Sequence, residues 1–409
     1  MSLLTSRPRT EALLGRTKLL GPAFVAAVAY VDPGNVATNT TAGASYRYLL
    51  LWVLVGATLM AGLIQYLSAK VGWLTGESLP ALVAGRNRRP VRLAYWVQAE
   101  LVAAATDVAE IVGGALALQL LFDLPLVTGA VITAGVSTAL LYLQRRGQST
   151  FERVIAGLLA IVTVGFLAGL VVAPPDPRAA AAGLVPRLAG ADSALLAVGM
   201  LGATVMPHAV YLHSALVRDR HGRADAGSAR PVLSAIKGDV LLAMVVAGSV
   251  NVGMLLVAGS TLFGLQLDGL TAVHEAIRVN LGEVIALLFA LALLASGLAS
   301  TSVGGYAGAV IMDGLLRRRI PLIWRRLATA VPALVLLGLG ADPTQLLILS
   351  QVVLSFGIPF ALIPLVRIAR DPALMALVPT RRATIALAWV VAGAIVALNA
   401  LLVVLLAAP

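Results

Sequence analysis

The 409-residue sequence contains no cysteine and few charged side chains. The absence of cysteine excludes disulfide bonds and thiolate metal sites, although it does not identify the cellular compartment. Charged residues make up 12% of the chain, whereas soluble domains carry roughly 25%. Hydrophobic residues make up 59%. Because no stretch of domain length is polar enough to fold in water, we predict a single all-α membrane protein.

Long apolar runs predict eleven membrane-spanning helices, called spans one to eleven in chain order. The residues before the first span, 1–19, form a short cytoplasmic tail with four basic side chains. The spans lie near residues 20–45, 48–73, 92–120, 125–143, 153–174, 193–217, 234–260, 283–312, 324–340, 344–366 and 383–408.

The basic residues support this number of spans and give their orientation. With the N-terminus in the cytoplasm, 26 of the 30 lysines and arginines fall in the tail and in loops on the cytoplasmic side. The others are Arg47, Arg178, Arg187 and Arg278. Such a bias is typical of membrane proteins and sets their topology. We therefore predict a cytoplasmic N-terminus, an extracytoplasmic C-terminus and, despite the net charge of +11, no nucleic-acid partner.

Spans one and six are both interrupted near their middles, at residues 32–35 and 206–208. Each apolar half is about a dozen residues or fewer, too short to cross a ~30 Å hydrocarbon core alone. Proline has no N–H, so Pro33 and Pro207 leave the carbonyls of Ala29 and Ala203 without their helical donors. Irregular backbone at this depth must face protein or a wet cavity. Paired broken helices therefore indicate the binding site of a transporter.

The N-terminal region also fits a competing interpretation. Its basic start, the apolar stretch from Leu19 and the small residues Ala27–Ala29 resemble a cleavable signal peptide. Cleavage there would discard half of broken span one and leave the matching break of span six in the chain. We therefore favour an uncleaved first span.

The two broken spans have opposite orientations, and four intact spans separate them. This arrangement is typical of two inverted five-helix repeats, as in LeuT-type folds. We predict a first repeat at residues 20–175, a second at 193–366 and an additional span eleven at 383–408. Sequence similarity between the halves is negligible, so the prediction rests on the position and orientation of the breaks.

The breaks carry side chains that can bind a metal ion. Asp32 offers a carboxylate, Asn35 an amide oxygen and Met206 a thioether sulfur, while Ala29 and Ala203 offer carbonyl oxygens. Oxygen donors alone would suit Mg²⁺ or Ca²⁺, whereas sulfur favours softer transition ions. In the alternative interpretation, the methionine only fills space and the aspartate only caps the second half-helix. We favour a metal site, because an intramembrane carboxylate indicates function by default.

Span three contains a second polar group of residues. Glu100, Asp107 and Glu110 share one helix face over about 15 Å. Together with His208 and His213 of span six, they are what a proton relay needs, since histidine titrates near neutral pH. The alternative is a static salt-bridge network at the cytoplasmic helix ends, and a relay ending in that network would satisfy both. The candidate partners are Arg218, Arg220 and Arg326.

The segments around the breaks read AYVDPGN at residues 29–35 and GATVMPH at 202–208. They resemble the metal-site motifs of the Nramp divalent-metal transporters, in particular the bacterial manganese and iron branch. The resemblance covers spans one to ten and implies a LeuT-like fold with proton-coupled import of Mn²⁺ or Fe²⁺, and also of Cd²⁺ and Co²⁺. Further similar segments are residues 99–101, 105–110, 211–217, 295–297, 306–314 and 350–355.

The resemblance also implies that Gln351 of span ten joins the coordination shell in some conformations. It implies a transporter that works by alternating access and not an enzyme. Metal ion and proton are then its substrates, the lipid bilayer surrounds it, and no resident cofactor is expected. We expect a protein that functions as a monomer. Because arginine far outnumbers lysine, as in GC-rich bacterial genomes, we expect the bacterial inner membrane.

The main alternative function is a sodium-coupled amino-acid symporter of the same fold. Its site would present small residues and free N–H groups to the substrate carboxylate, which Asp32 would repel. An intramembrane aspartyl protease would need a second catalytic aspartate, and Asp342 lies at a helix end. A passive channel would need a file of weak sites, whereas two broken helices around one carboxylate form a single deep site.

Overall fold

The computed structural model describes residues 21–143, 147–265, 267–317 and 321–407. The predicted tail, residues 1–19, lies outside the described residues, as do residue 408 and the basic residues Arg145, Arg146, Arg318 and Arg319. The described residues form helices joined by short loops, with no strand among them. This suits a lipid environment, because a helix satisfies its own backbone hydrogen bonds.

Helices occur at each of the eleven predicted positions. Both spans are broken as predicted, but the breaks lie up to three residues earlier than 32–35 and 206–208. Span one has a 3₁₀ turn, Ala29–Val31, and Asp32 before its second half, and span six is interrupted at Val205 and Met206. Span one consists of the helices Pro22–Val28 and Pro33–Tyr46, and span six consists of Ala191–Thr204 and Pro207–His221. Spans two to five are Leu51–Thr75, Arg89–Phe122, Leu126–Tyr142 and Gln148–Val172. Spans seven to eleven are Ala229–Thr261, Glu283–Leu316, Leu322–Gly338, Pro343–Arg370 and Arg382–Ala407.

Within the described residues, eight helical stretches are long and apolar enough to cross a membrane, counting the two halves of span six together. The remaining predicted spans are shorter: Pro22–Val31 and Leu126–Tyr142 are apolar helices of 10–17 residues, and Leu322–Gly338 has 17 residues. The chain is therefore a multi-pass membrane protein, while the number of eleven crossings stays a prediction.

Three short helices were not predicted: Leu79–Arg86, Pro177–Ala182 and Gly269–Leu281. They connect spans and are too short or too amphipathic to stand out as apolar runs.

Three basic residues assigned to loops are buried in helices. Lys70 lies inside span two, and Arg325 and Arg326 lie inside span nine. These three assignments were wrong, because long basic side chains near a helix end can be paired inside the protein.

The broken spans lie at the centre of the molecule. The most apolar part of span six is 94% buried, whereas that of span eleven is 33% buried. Spans three and eight pack directly against each other, with Gly297 against the backbone of Gly114. Gly113 of span three contacts Pro33, where a Cβ atom would overlap the proline ring. Glycine in span three thus places this helix against the break of span one.

Three proline-freed carbonyls accept hydrogen bonds from side chains of neighbouring helices. Pro207 frees the carbonyl of Ala203, which accepts from Asn35 Nδ2 at 2.9 Å. Pro359 and Pro364 lie inside span ten. The carbonyls that they free, at Ser355 and Phe360, accept from Asn399 Nδ2 at 3.1 Å and from the Tyr211 hydroxyl at 3.2 Å. Spans six and ten are thus each tied to another span at these carbonyls.

Candidate metal-binding site

Asp32 begins the second half of span one and is fully buried. Its Oδ1 accepts hydrogen bonds from the backbone N–H and from the side-chain Nδ2 of Asn35, both at 2.8 Å. Its Oδ2 accepts from Gln351 Nε2 at 3.1 Å. The aspartate is therefore the helix cap of the alternative interpretation and also a carboxylate in the middle of the membrane domain.

Met206 occupies the corresponding position in span six. The helix ends at Thr204, and Val205 and Met206 are non-helical before Pro207 restarts it. The methionine side chain is fully buried. The hydrogen bond from Asn35 to the Ala203 carbonyl joins the two breaks directly. The structure thus brings Asp32, Asn35 and Ala203 together by hydrogen bonds and places Met206 three residues after Ala203.

Gln351 packs against the first turn of the second half-helix of span one. A Cβ atom at Gly34 would overlap the Gln351 side-chain amide, so only glycine leaves room for this contact. On the other side, Gly202 contacts the Gln351 carbonyl. Span ten therefore touches both broken spans, and its glutamine lies at the predicted site.

Two acceptor oxygens at this site have no partner. Asn35 Oδ1 and Gln351 Oε1 are buried and make no hydrogen bond. Buried polar atoms are almost always hydrogen-bonded, so unpaired ones need an explanation. With the Asp32 carboxylate, they form an oxygen-rich donor set that suits a cation. Among the residues that the structure describes, no three His, Asp or Glu side chains cluster as metal ligands.

Two polar side chains near the break were not predicted. Asn251 Nδ2 of span seven donates to the Tyr30 carbonyl at 2.7 Å. Ser296 Oγ of span eight donates to the Val31 carbonyl at 2.6 Å. Both satisfy carbonyls in the turn before Asp32. Each is one of several polar residues in a long, mostly apolar helix, so its proximity to the break depends on the tertiary packing.

The span-three carboxylates contact arginines of span nine. Arg326 Nη1 lies 2.7 Å from Asp107 Oδ1, and Arg325 Nη2 lies 3.6 Å from Glu100 Oε2. Glu110 is fully buried, and neither of its oxygens has a hydrogen-bond partner. The salt bridge to Arg326 was predicted, whereas that to Arg325 was not.

The histidines and Arg220 have other partners. His208 Nδ1 lies 3.4 Å from Thr106 Oγ1 of span three, while its Nε2 is buried without a partner. His213 Nδ1 is hydrogen-bonded to Gln65 Oε1 at 2.6 Å, and Gln65 Nε2 is hydrogen-bonded to the Tyr30 hydroxyl. Arg220 Nη1 pairs with Glu152 of span five at 2.8 Å, which the sequence did not predict.

The two sides of the site differ in access. A cavity of about 620 Å³ opens on the side that the predicted topology makes extracytoplasmic. Its lining includes Thr344 and Ile348, which share a helix face with Gln351 and so lead toward it. On the other side, the start of span one is held in place: Asp239 accepts from the amides of Gly21 and Ala23 at 3.0–3.3 Å.

Comparison with known proteins gives the family. The family model described as natural resistance-associated macrophage protein-like (Nramp) matches residues 23–405. The divalent metal cation transporter MntH of Mycobacterium tuberculosis strain H37Rv is 56% identical over 390 residues, which are 95% of this chain and 91% of that protein. MntH of Bacillus subtilis strain 168 is 45% identical over 394 residues, with 95% and 92% covered. These are names of membrane transporters and not of enzymes.

Solved structures agree. The manganese transporter of Eremococcus coleocola, in complex with an aromatic bis-isothiourea substituted compound, is 29% identical with a TM-score of 0.84, covering 98% of this chain and 88% of that one. Mhp1, a nucleobase-cation-symport-1 family transporter, shares the fold at 14% identity and a TM-score of 0.59, with 95% and 92% covered. The predicted all-α, LeuT-like membrane fold is confirmed, and the chain belongs to the Nramp family.

Proposed function

We propose that this protein imports divalent transition-metal ions, Mn²⁺ and Fe²⁺ and also Cd²⁺ and Co²⁺, together with protons by alternating access. The observation that carries the proposal is the meeting of two helix breaks around one buried carboxylate, with unpaired amide oxygens and a thioether at the same breaks. The names of the relatives support the same substrate class. Asp32 argues against the alternative, an amino-acid symporter, because its charge would repel a substrate carboxylate.

In this proposal, the metal binds between the two breaks. Asp32 supplies the negative charge, Asn35 its free Oδ1, Met206 its sulfur, and Ala29 and Ala203 their carbonyls. Gln351 now donates its Nε2 to Asp32, so a cation arriving there would compete for the same lone pair. Rotation of the glutamine amide by half a turn would replace the N–H with the unpaired Oε1. The residue could thus exchange its contact with Asp32 for a contact with the metal.

Alternating access would use the difference between the two sides. The metal would enter through the cavity whose lining ends at Ile348, about one helical turn before Gln351. Inward release would then require the first half of span one to leave its partners, which are Asp239 and the chain of hydrogen bonds through Gln65 to His213. These contacts are a few hydrogen bonds, worth about 0.5–1.5 kcal/mol each or up to ~3 kcal/mol with a charged group such as Asp239. Such contacts can be broken and remade during a transport cycle.

Protons would follow span three. Glu110 is the candidate first acceptor beyond Asp32 and His208, because it is fully buried and neither of its oxygens has a hydrogen-bond partner. Asp107 and Glu100 would continue the route toward the cytoplasm beside Arg326 and Arg325. Arg220, paired with Glu152, is placed at the cytoplasmic end. A carboxylate that binds a proton loses its charge, so its ion pair with the neighbouring arginine weakens. Proton transfer along span three would therefore be coupled to the breaking and remaking of these ion pairs.

The setting that we propose is the bacterial inner membrane, with the N-terminus in the cytoplasm and the C-terminus outside. The protein would function as a monomer without a resident cofactor. We also retain the predicted inverted repeats, residues 20–175 and 193–366, with span eleven as an addition. Each unit begins with its broken span and contains four further helices at the predicted positions, which supports this division.

The test is transport by purified protein in proteoliposomes, with Mn²⁺ uptake and internal pH recorded together. Asp32→Asn removes the single formal charge of the proposed ligand set and keeps its shape, so we expect loss of Mn²⁺ uptake by a protein that still inserts and folds. The matched control is Asp192→Asn, an exposed aspartate in the first turn of span six, which should transport normally. Near-normal uptake by Asp32→Asn would overturn the site.

A further inference from the structure

A groove of about 340 Å³ runs along the outer face of the protein between spans two and seven. Thr58 and Tyr66 mark its ends on span two, about 12 Å apart at ~1.5 Å per residue. Gly62 keeps it open, because only Met244 comes near the position of a Cβ atom there. The other apolar walls are Leu59, Leu63, Val240, Leu241 and Val245.

Cationic side chains collect at one end of this groove. Lys237 lines it beside Tyr66. Lys70, one turn further along span two, is buried and donates to Thr380 Oγ1 at 2.8 Å. This bond fixes the segment before span eleven, in which Arg381 is the next residue. Within the described part of the chain, no carboxylate forms an ion pair with these three cations.

An apolar groove with cations at one end matches a lipid that has an acyl chain and an anionic headgroup. The apolar walls would accept any acyl chain, and the bilayer supplies acyl chains along this whole face. Basic residues in cytoplasmic loops are expected from topology alone, but such residues are free to move, whereas Thr380 and Lys70 hold Arg381 beside the end of the groove. Fixed cations next to an apolar channel attract an anionic headgroup, at about 1 kcal/mol for each one near an anionic surface.

We propose that the groove between spans two and seven binds one anionic glycerophospholipid, with an acyl chain along Gly62 and its phosphate at Lys237 and Arg381. Tyr66 donates its hydroxyl to the same headgroup. The bound lipid covers the outer edge of the seam along which spans two and seven pack, where Gly248 of span seven lies against Thr58 of span two. This lipid site is distinct from the proposed metal site, and it can be tested by measuring lipid binding without measuring transport.

The experiment is native mass spectrometry of the purified full chain, titrated with dioleoylphosphatidylglycerol or dioleoylphosphatidylcholine. The unchanged protein should retain one phosphatidylglycerol in preference to phosphatidylcholine. Lys237→Gln with Arg381→Gln should weaken phosphatidylglycerol binding about 30-fold, the equivalent of ~2 kcal/mol, and leave phosphatidylcholine binding unchanged. Gly62→Leu, which fills the groove and keeps the cations, should weaken the binding of both lipids.

The matched control is Arg88→Gln with Arg89→Gln, two exposed arginines at the start of span three. It removes the same charge from the same side and should keep the preference for phosphatidylglycerol. If this control lost as much binding as the groove variant, the headgroup would be responding to general surface charge, and the proposal would be wrong. Unchanged lipid preference after removal of Lys237 and Arg381 would also overturn it. So would unchanged lipid binding by a folded Gly62→Leu protein.

Discussion

The contact between Gly34 and Gln351 predicts that Gly34→Ala destabilises the protein when Gln351 is present and stabilises it when Gln351 is replaced by alanine. Glycine to alanine inside a helix normally stabilises a protein by about 0.4–1 kcal/mol where the site has room. At Gly34 there is no room, because the added Cβ would overlap three atoms of the Gln351 side chain. The glutamine must therefore rotate away, and its hydrogen bond to Asp32 is lost.

The magnitude follows from these two effects. A hydrogen bond to a charged group contributes about 1.5–3 kcal/mol, so Gly34→Ala should lower the free energy of unfolding by about 0.5–2.5 kcal/mol after the gain in helix stability. With Gln351→Ala already present, nothing remains to displace. The same Gly34→Ala change should then stabilise the protein by about 0.4–1 kcal/mol. The difference between the backgrounds is the coupling energy of the pair.

The assay is thermal unfolding of the four proteins in detergent, together with Mn²⁺ binding. Gly135→Ala is the matched control, since it is an exposed helical glycine with open space at the Cβ position, and it should be neutral or stabilising in both backgrounds. We also expect Gly34→Ala to weaken Mn²⁺ binding only when Gln351 is present. An effect of Gly34→Ala that is equal in both backgrounds would refute the reasoning.

Three further predictions concern the metal and proton routes. Met206→Ala should keep measurable Mn²⁺ transport, lose most Cd²⁺ transport and become sensitive to Ca²⁺, because a water oxygen replaces sulfur; competition assays with both ions check this, and unchanged competition would contradict metal contact. Glu110→Gln should reduce metal-stimulated proton influx more than Mn²⁺ binding, measured in the same vesicles, and an equal reduction would contradict a relay. Asp107→Asn leaves Arg326 without its buried partner, so we expect thermal unfolding to show a loss of about 3–5 kcal/mol as well as weaker proton coupling; unchanged stability would exclude a structural salt bridge.

Much of the fold could be predicted because the chain lies in a membrane. Apolar runs must be helical there, and Pro33 and Pro207 mark the points at which the helices stop. The amphipathic helix Gly269–Leu281 was missed because its periodicity is weaker than an apolar run and it does not cross the membrane. Basic residues near helix ends were assigned by sequence position, so the inward-facing arginines of span nine could not be separated from those in loops.

Some residues of the candidate site could likewise be predicted from the sequence, and others could not. Asp32, Asn35 and Met206 could be predicted because each adjoins a proline that breaks its own helix. Gln351 came only from the family resemblance, since a glutamine in an apolar helix says nothing about which helix it faces. Asn251 depends entirely on how span seven packs against span one, and this packing is set by many weak contacts that the sequence of one helix does not show.

Span eleven lies outside the predicted repeats, yet span ten depends on it. Pro359 leaves the Ser355 carbonyl bare, and Asn399 of span eleven both donates to that carbonyl and accepts from the Ser355 hydroxyl at 2.7 Å. Ser355 is one helical turn beyond Gln351 and touches Gly202 of span six. A shortened chain that ended before span eleven would therefore expose an unsatisfied carbonyl to lipid beside the candidate metal site. The last helix is thus part of the minimal transporter, and a two-repeat truncation is a poor starting point for design.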